Sequence, residues 1–121
     1  KARHFSASKY NKALSGISDI ETPVTADFTN HIFHQYTIKV KNGKRDALKK
    51  HLDELGIPNM IYYPIPLHKQ KAFEPYVNAE QKFDISETLC NEVLSLPMHT
   101  ELDNEQIERI TSAIGLFFER K

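Results

Sequence analysis

An alternation running from His31 to Val40 constrains this chain more than any other feature. On an extended backbone Ile32, His34, Tyr36, Ile38 and Val40 share one side, and Phe33, Gln35, Thr37 and Lys39 share the other. Strand side chains alternate with period two, so the pattern predicts a strand over 31–40 with one well-buried face. Lys41-Asn42-Gly43-Lys44 follows as a turn, because Asn and Gly tolerate positive φ. A strand with one apolar face must bury it against another layer.

That layer is helical. Residues 45–55 place Leu48, Leu52 and Leu55 at i, i+4 and i+7 with charges on the outer face, and Gly56 and Pro58 stop the helix. Residues 1–15 set Phe5, Tyr10, Ala13 and Leu14 among polar residues, which predicts a helix ending at Gly16. A connector over 17–30 contains Pro23, with a short extended piece near Ile17–Thr22. Residues 59–63 read as a second strand, ended by Pro64 and Pro66, and a helical turn is expected around Lys69–Phe73. Asp84-Ile85-Ser86-Glu87 resembles a capping box opening a helix that turns Ile85, Leu89, Val93 and Leu94 inward. Ser95–Met98 is a short extended segment. Asp103, with Gln106 three residues on, caps a last helix whose apolar face is Ile107, Ile110, Ile114, Phe117 and Phe118. The expected fold is α/β (α+β), a short sheet with helices mainly on one face.

The 121 residues fit one domain, and 40% hydrophobic residues supply one core. Sixteen basic residues balance sixteen acidic ones, which gives no electrostatic pull toward nucleic acid or an anionic membrane. Apolar runs are too short to cross a bilayer. No apolar stretch of the kind found in secretory signals follows the basic start, and a helix under way at Lys1 predicts a chain that begins inside a longer protein. The single cysteine, Cys90, makes no intrachain disulfide, which suits a reducing cytoplasm. Its place between Leu89 and Val93 favours a buried, inert thiol.

Several chemistries lack their residues. The four glycines are unclustered, so there is no phosphate loop. One cysteine excludes a Cys-based metal site, and His31 and His34, three apart on the expected strand, face opposite sides. No metal is expected. No Gly-x-Ser-x-Gly turn exposes a nucleophile.

Tyr62-Tyr63-Pro64-Ile65-Pro66-Leu67-His68 is the informative stretch. Two tyrosines end a strand, two prolines stiffen its exit and a histidine follows. An ordered loop bearing such groups is a common binding element. Tyrosine hydroxyls bond sugar or phosphate oxygens, and the rings cover a base or sugar face. Pattern alone favours a plainer reading, in which one of Tyr62 and Tyr63 is core and His68 caps a turn.

Several runs, in this order and spacing, resemble the C-terminal part of the DegT/DnrJ nucleotide-sugar aminotransferases. They are His31–Val40, Arg45-Asp46-Ala47-Leu48, Leu55-Gly56-Ile57-Pro58, Tyr62–His68 and Leu94-Ser95-Leu96-Pro97-Met98-His99, and the resemblance covers essentially the whole chain. It implies that residues 1–121 are the small C-terminal domain of a fold type I aminotransferase, with 1–15 leading from a missing large domain. It implies a cytoplasmic homodimer that moves an amino group, usually from glutamate, to a nucleotide-linked keto-sugar, in cell-envelope or polysaccharide biosynthesis. Pyridoxal phosphate would be held by a large-domain lysine and aspartate. This chain alone would then bind no cofactor, contain no catalytic residue and show no transaminase activity. Family members often have His-Tyr-Pro where this chain has Tyr62-Tyr63-Pro64. The resemblance makes Tyr63 the foremost substrate-contact candidate, with Tyr62 and His68 beside it. It makes His34 and Tyr36 structural.

Two other functions fit the residues: a free-standing metabolite-binding or regulatory module using the same aromatic loop, and an interaction domain docking through its apolar strand face.

Overall fold

The computed structural model describes residues 1–78 and 80–119. Its elements are helix α1 (Ala2–Leu14), strands β1 (Ile20–Glu21) and β2 (Tyr36–Val40), helix α2 (Arg45–Glu54), helix α3 (Asp84–Glu92), strand β3 (Val93–Leu96) and helix α4 (Asn104–Glu119). Short 3-10 turns lie at Leu67–Lys69 and Glu74–Tyr76, flanking the helical turn expected at Lys69–Phe73. The sheet has three antiparallel strands in the order β1-β2-β3.

The register explains the core. Tyr36 pairs with Leu96 and Ile38 with Leu94, which puts these four on one face; with Val40, all are buried. Ala7, Tyr10 and Leu14 of α1, Leu48 and Leu52 of α2, and Ile107, Ile110, Ala113 and Ile114 of α4 join the same cluster. On the opposite face the hydroxyls of Thr37 and Ser95 meet across the strands at 2.8 Å. This is the short sheet with helices on its apolar side that the pattern predicts.

Helix ends follow their local chemistry. Asn42 and Gly43 have φ 59° and 67°, as the turn requires. Gly56, at φ 66°, ends α2: its N–H bonds the Asp53 carbonyl at 3.0 Å and that of Ile57 bonds the Leu52 carbonyl at 2.9 Å. These two bonds form a Schellman motif. Leu55, expected inward, is the residue at this cap and is 44% exposed. At the start of α4, Asp103 Oδ1 accepts the Gln106 amide at 2.8 Å and Gln106 Oε1 accepts the Asp103 amide at 3.1 Å, a reciprocal cap. Asp103→Ala is expected to cost about 1 kcal/mol, read from the urea midpoint at unchanged slope.

Four expectations are corrected. The strand starts at Tyr36, not at residue 31. Phe33 has φ 48°, which reverses the side-chain parity upstream: Phe33 is buried, while Ile32 is 70% exposed and His34 is exposed too. The second strand, expected over 59–63, reduces to one bridge, Met60 with Ser95. On one side the next pair would be Pro58 and Pro97, neither of which has an N–H; on the other, the chain before Val93 is helix. The helix opened near Asp84 stops at Glu92, so Val93 and Leu94 belong to β3, and Ile85 and Leu89 face solvent at 79% and 36% exposure. Phe83 holds its N-cap position without a side-chain bond, so Asp84 is a first-turn acid and not the cap.

Candidate functional site

Met60 anchors the loop that follows it. Its N–H bonds the Ser95 carbonyl at 3.1 Å and its carbonyl accepts the Ser95 N–H at 2.8 Å. Tyr62 through His68 therefore leave the sheet beside β3, stiffened by Pro64 and Pro66.

Both tyrosines are exposed, Tyr62 at 40% and Tyr63 at 68%, so the reading that buries one of them in the core is overturned. The single bridge at Met60 is the reason: beyond it there is no ladder to press either ring into the core. The two rings meet edge to face at 5.5 Å and serve different grooves. Tyr63 lines one of about 590 Å³ together with Leu67, His68, Phe73, Tyr76 and Phe83. Tyr62 lines another of about 380 Å³ together with His34, Met60 and Met98. The structure thus brings Tyr63 and His68 together and separates Tyr62 from them.

His68 does more than cap a turn. Its imidazole stacks on Phe83 with centroids 4.6 Å apart and planes 27° apart. Its Nε2 lies 2.9 Å from Glu87 Oε1, while Lys69 Nζ donates to Glu87 Oε2 at 2.7 Å. The Lys69 ammonium first, and then His68, hold the Glu87 carboxyl below the usual carboxylate range. Sequence reasoning missed Glu87 and Phe83. A Glu three residues after Asp at a helix start reads as a cap partner, and only packing shows that it reaches back to the loop.

Tyr36 packs in the core. It is fully buried, stacks on Tyr10 at 4.7 Å and donates its hydroxyl to Asn11 Oδ1 at 2.5 Å. Tyr10 in turn donates to the Pro97 carbonyl at 3.0 Å. Burial pushes both phenols well above their usual range. His34, exposed at the rim of the Tyr62 groove, does not share Tyr36's buried face. His31 lies in irregular chain where strand alternation does not apply, and its Nδ1 accepts the Phe33 amide at 2.9 Å. Cys90 is half-buried and lines the Tyr63 groove, so its thiol is not sealed in the core. Among the described residues no group of three His, Cys, Asp or Glu is placed to hold a metal, and no helix is long and apolar enough to cross a membrane.

The 590 Å³ groove has the size of a small-molecule site and an aromatic wall suited to a ring face. Its polar atoms come from Tyr63, His68 and a few neighbours, and the described lining contains no lysine.

Comparisons with known proteins agree on one group. The family model described as the DegT/DnrJ/EryC1/StrS aminotransferase family matches residues 1–115. The chain is 42% identical over 112 residues to a UDP-N-acetyl-3-dehydro-α-D-glucosamine 3-aminotransferase of Acidithiobacillus ferrooxidans, covering 93% of this chain and 29% of that protein. It is 40% identical over 114 residues to a pleiotropic regulatory protein of Geobacillus stearothermophilus, covering 93% of this chain and 30% of that protein. Among solved structures, S. venezuelae DesV in complex with a ketimine intermediate superposes with a TM-score of 0.91 at 33% identity, over 98% of this chain and 32% of that one. The chain spans about 30% of the length of the curated relatives it matches.

Proposed function

The chain belongs to the DegT/DnrJ/EryC1/StrS aminotransferase family, and from that premise we propose that it is the C-terminal small domain of a longer, pyridoxal-phosphate-dependent enzyme. That enzyme transfers an amino group, from glutamate, to a keto-sugar carried on a nucleotide. It is a cytoplasmic homodimer serving cell-envelope or polysaccharide biosynthesis. The share of each relative that this chain spans, 29% and 30%, supports a domain within a longer polypeptide.

The observation that carries the reading is the groove itself: aromatic, pre-formed, and supplied with Tyr63 and His68 but no lysine. A cofactor held as a Schiff base needs a sheltered amine, and its phosphate needs a cradle of donors. Every lysine among the described residues is half-exposed or exposed. These residues do not fit the cofactor, and no step of its chemistry is assigned to them. In this reading Tyr63 covers the sugar nucleotide and hydrogen-bonds its oxygens, His68 lines the same wall, and Tyr62 and His34 flank it from the neighbouring groove.

A second reading keeps the groove and drops the transfer. The relative named as a pleiotropic regulatory protein, at 40% identity, is compatible with a regulatory role for the same groove. One measurement separates them, and a second checks where the cofactor is held. An antibody to this chain, used on its source cells, is expected to mark a band of roughly three times the mass of this domain. A band at the mass of this chain would leave the binding module standing. Mixing the chain with pyridoxal phosphate is expected to give no aldimine absorbance that one lysine substitution removes. Such a lysine-specific band would overturn the assignment of the cofactor to residues outside this chain.

A further inference from the structure

The groove beside Tyr63 has a wall that the core does not hold. Helix α3 carries no buried residue, yet Phe83, Ser86 and Cys90, at its start and along it, form one side of the groove. The opposite side is the proline-stiffened loop ending in the Leu67–Lys69 turn. Glu87 joins the two. Each of its carboxylate oxygens meets a different residue of that turn, Oε1 His68 at 2.9 Å and Oε2 Lys69 at 2.7 Å. The stack of His68 on Phe83 closes the same junction from the other side of the ring.

We propose that Glu87 is the positioning residue of this groove, fixing the ring of His68 through Nε2 so that Nδ1 is presented as an acceptor for a ligand hydroxyl. A neutral imidazole carries one proton, and a carboxylate only accepts. In the neutral form of the ring, a 2.9 Å contact between His68 Nε2 and Glu87 Oε1 places that one proton on Nε2. The other nitrogen is left with a lone pair, on a residue that lines the groove. Lys69 takes the second carboxylate oxygen and keeps Glu87 from swinging to solvent. The ligand class this suits is a hydroxyl-rich ring, such as a pyranose, whose O–H donates to Nδ1 while its face rests on the aromatic wall. The proposal rests on the reading of Tyr63 and His68 as substrate-lining residues, and it adds how His68 is held ready.

The test uses the chain with ¹⁵N-labelled histidine and three forms: the native sequence, Glu87→Gln and Glu87→Leu. The Glu87 side chain is 39% exposed and α3 buries nothing, so both variants keep the core. Two quantities are read: the His68 ring nitrogen shifts with the His68–Phe83 ring contact by NMR, and binding of UDP-N-acetylglucosamine as probe. Glu87→Gln retains an acceptor oxygen and is expected to keep the native ring signature. Glu87→Leu is expected to lose that signature and to weaken probe binding about tenfold or more. An unchanged His68 signature in Glu87→Leu would overturn the proposal, as would a native signature carrying the proton on Nδ1. If the signature shifts as expected while the native sequence, within the longer polypeptide, also ignores the probe, Glu87 positions His68 and the sugar-nucleotide reading of the groove is what fails.

Discussion

The Tyr36→Ala chain is expected to lose about 3–5 kcal/mol of unfolding free energy, the largest effect of any single substitution here. Tyr36 is fully buried, opens β2 and stacks on Tyr10 of α1. Removing its ring leaves a cavity where the sheet meets α1, and rigid strand and helix backbones close such a cavity only in part. A domain of this size has about 5–15 kcal/mol in total, so the variant is expected to be partly unfolded at physiological temperature. Tyr36→Phe separates the ring from its hydroxyl. It keeps the stack and removes only the bond to Asn11 Oδ1, at an expected cost of about 1 kcal/mol. Urea unfolding of both variants checks the pair. Equal losses would mean that the hydroxyl, and not the ring, holds this corner of the fold.

Arg45→Met is expected to cost about 2–3 kcal/mol, with the damage concentrated in α3 and β3. Arg45 is 7% exposed, and its Nη1 donates to the carbonyls of Cys90 at 3.0 Å and Val93 at 3.1 Å. These groups end α3 and begin β3, so one guanidinium satisfies carbonyls that the helix leaves unpaired and complements the negative end of its dipole. Asp46 accepts from Nε at 2.6 Å, and its carboxylate is largely in solvent. Methionine fills similar space and offers no donor, so both carbonyls lose their partner. Arg45→Lys is expected to recover only part, because an ammonium lacks the planar fork. Hydrogen exchange is the measurement: amides of 84–96 should open sooner than those of α4. Uniform loss of protection across the chain would count against a local role. Because α3 forms one wall of the Tyr63 groove, the same variant tests how far that groove depends on a residue outside it.

Much of this was legible in one dimension. The period-two run Tyr36–Val40, the Leu48/Leu52 pair and the Ile107–Ile114 stripe appear where their spacing put them. So do the turn at Asn42-Gly43, the stop at Gly56 and the cap at Asp103. Each is governed by residues within four or five positions of one another, and sequence displays such neighbours directly. The loop from Tyr62 to His68 stood out for the same reason: prolines and aromatics in that density constrain a backbone wherever it lies.

The rest depended on partners far apart in the chain. One residue at positive φ, Phe33, was enough to move Ile32 out and Phe33 in. The carbonyls where α3 gives way to β3 are bonded by Arg45, across 45 and 48 residues of sequence. Whether Tyr62 and Tyr63 share a site depended on where the single bridge at Met60 let the strand go. The partner that His68 meets, Glu87, lies 19 residues on. By itself the sequence determined the period-two face of β2, the apolar faces of α2 and α4, the stop at Gly56 and the cap at Asp103, because those follow from local backbone preference and side-chain period. Only the tertiary structure decided the end of the strand, the end of the helix and the company each site residue keeps. Burial and pairing are properties of the packed chain, and a side chain meets its partner only after the layers close.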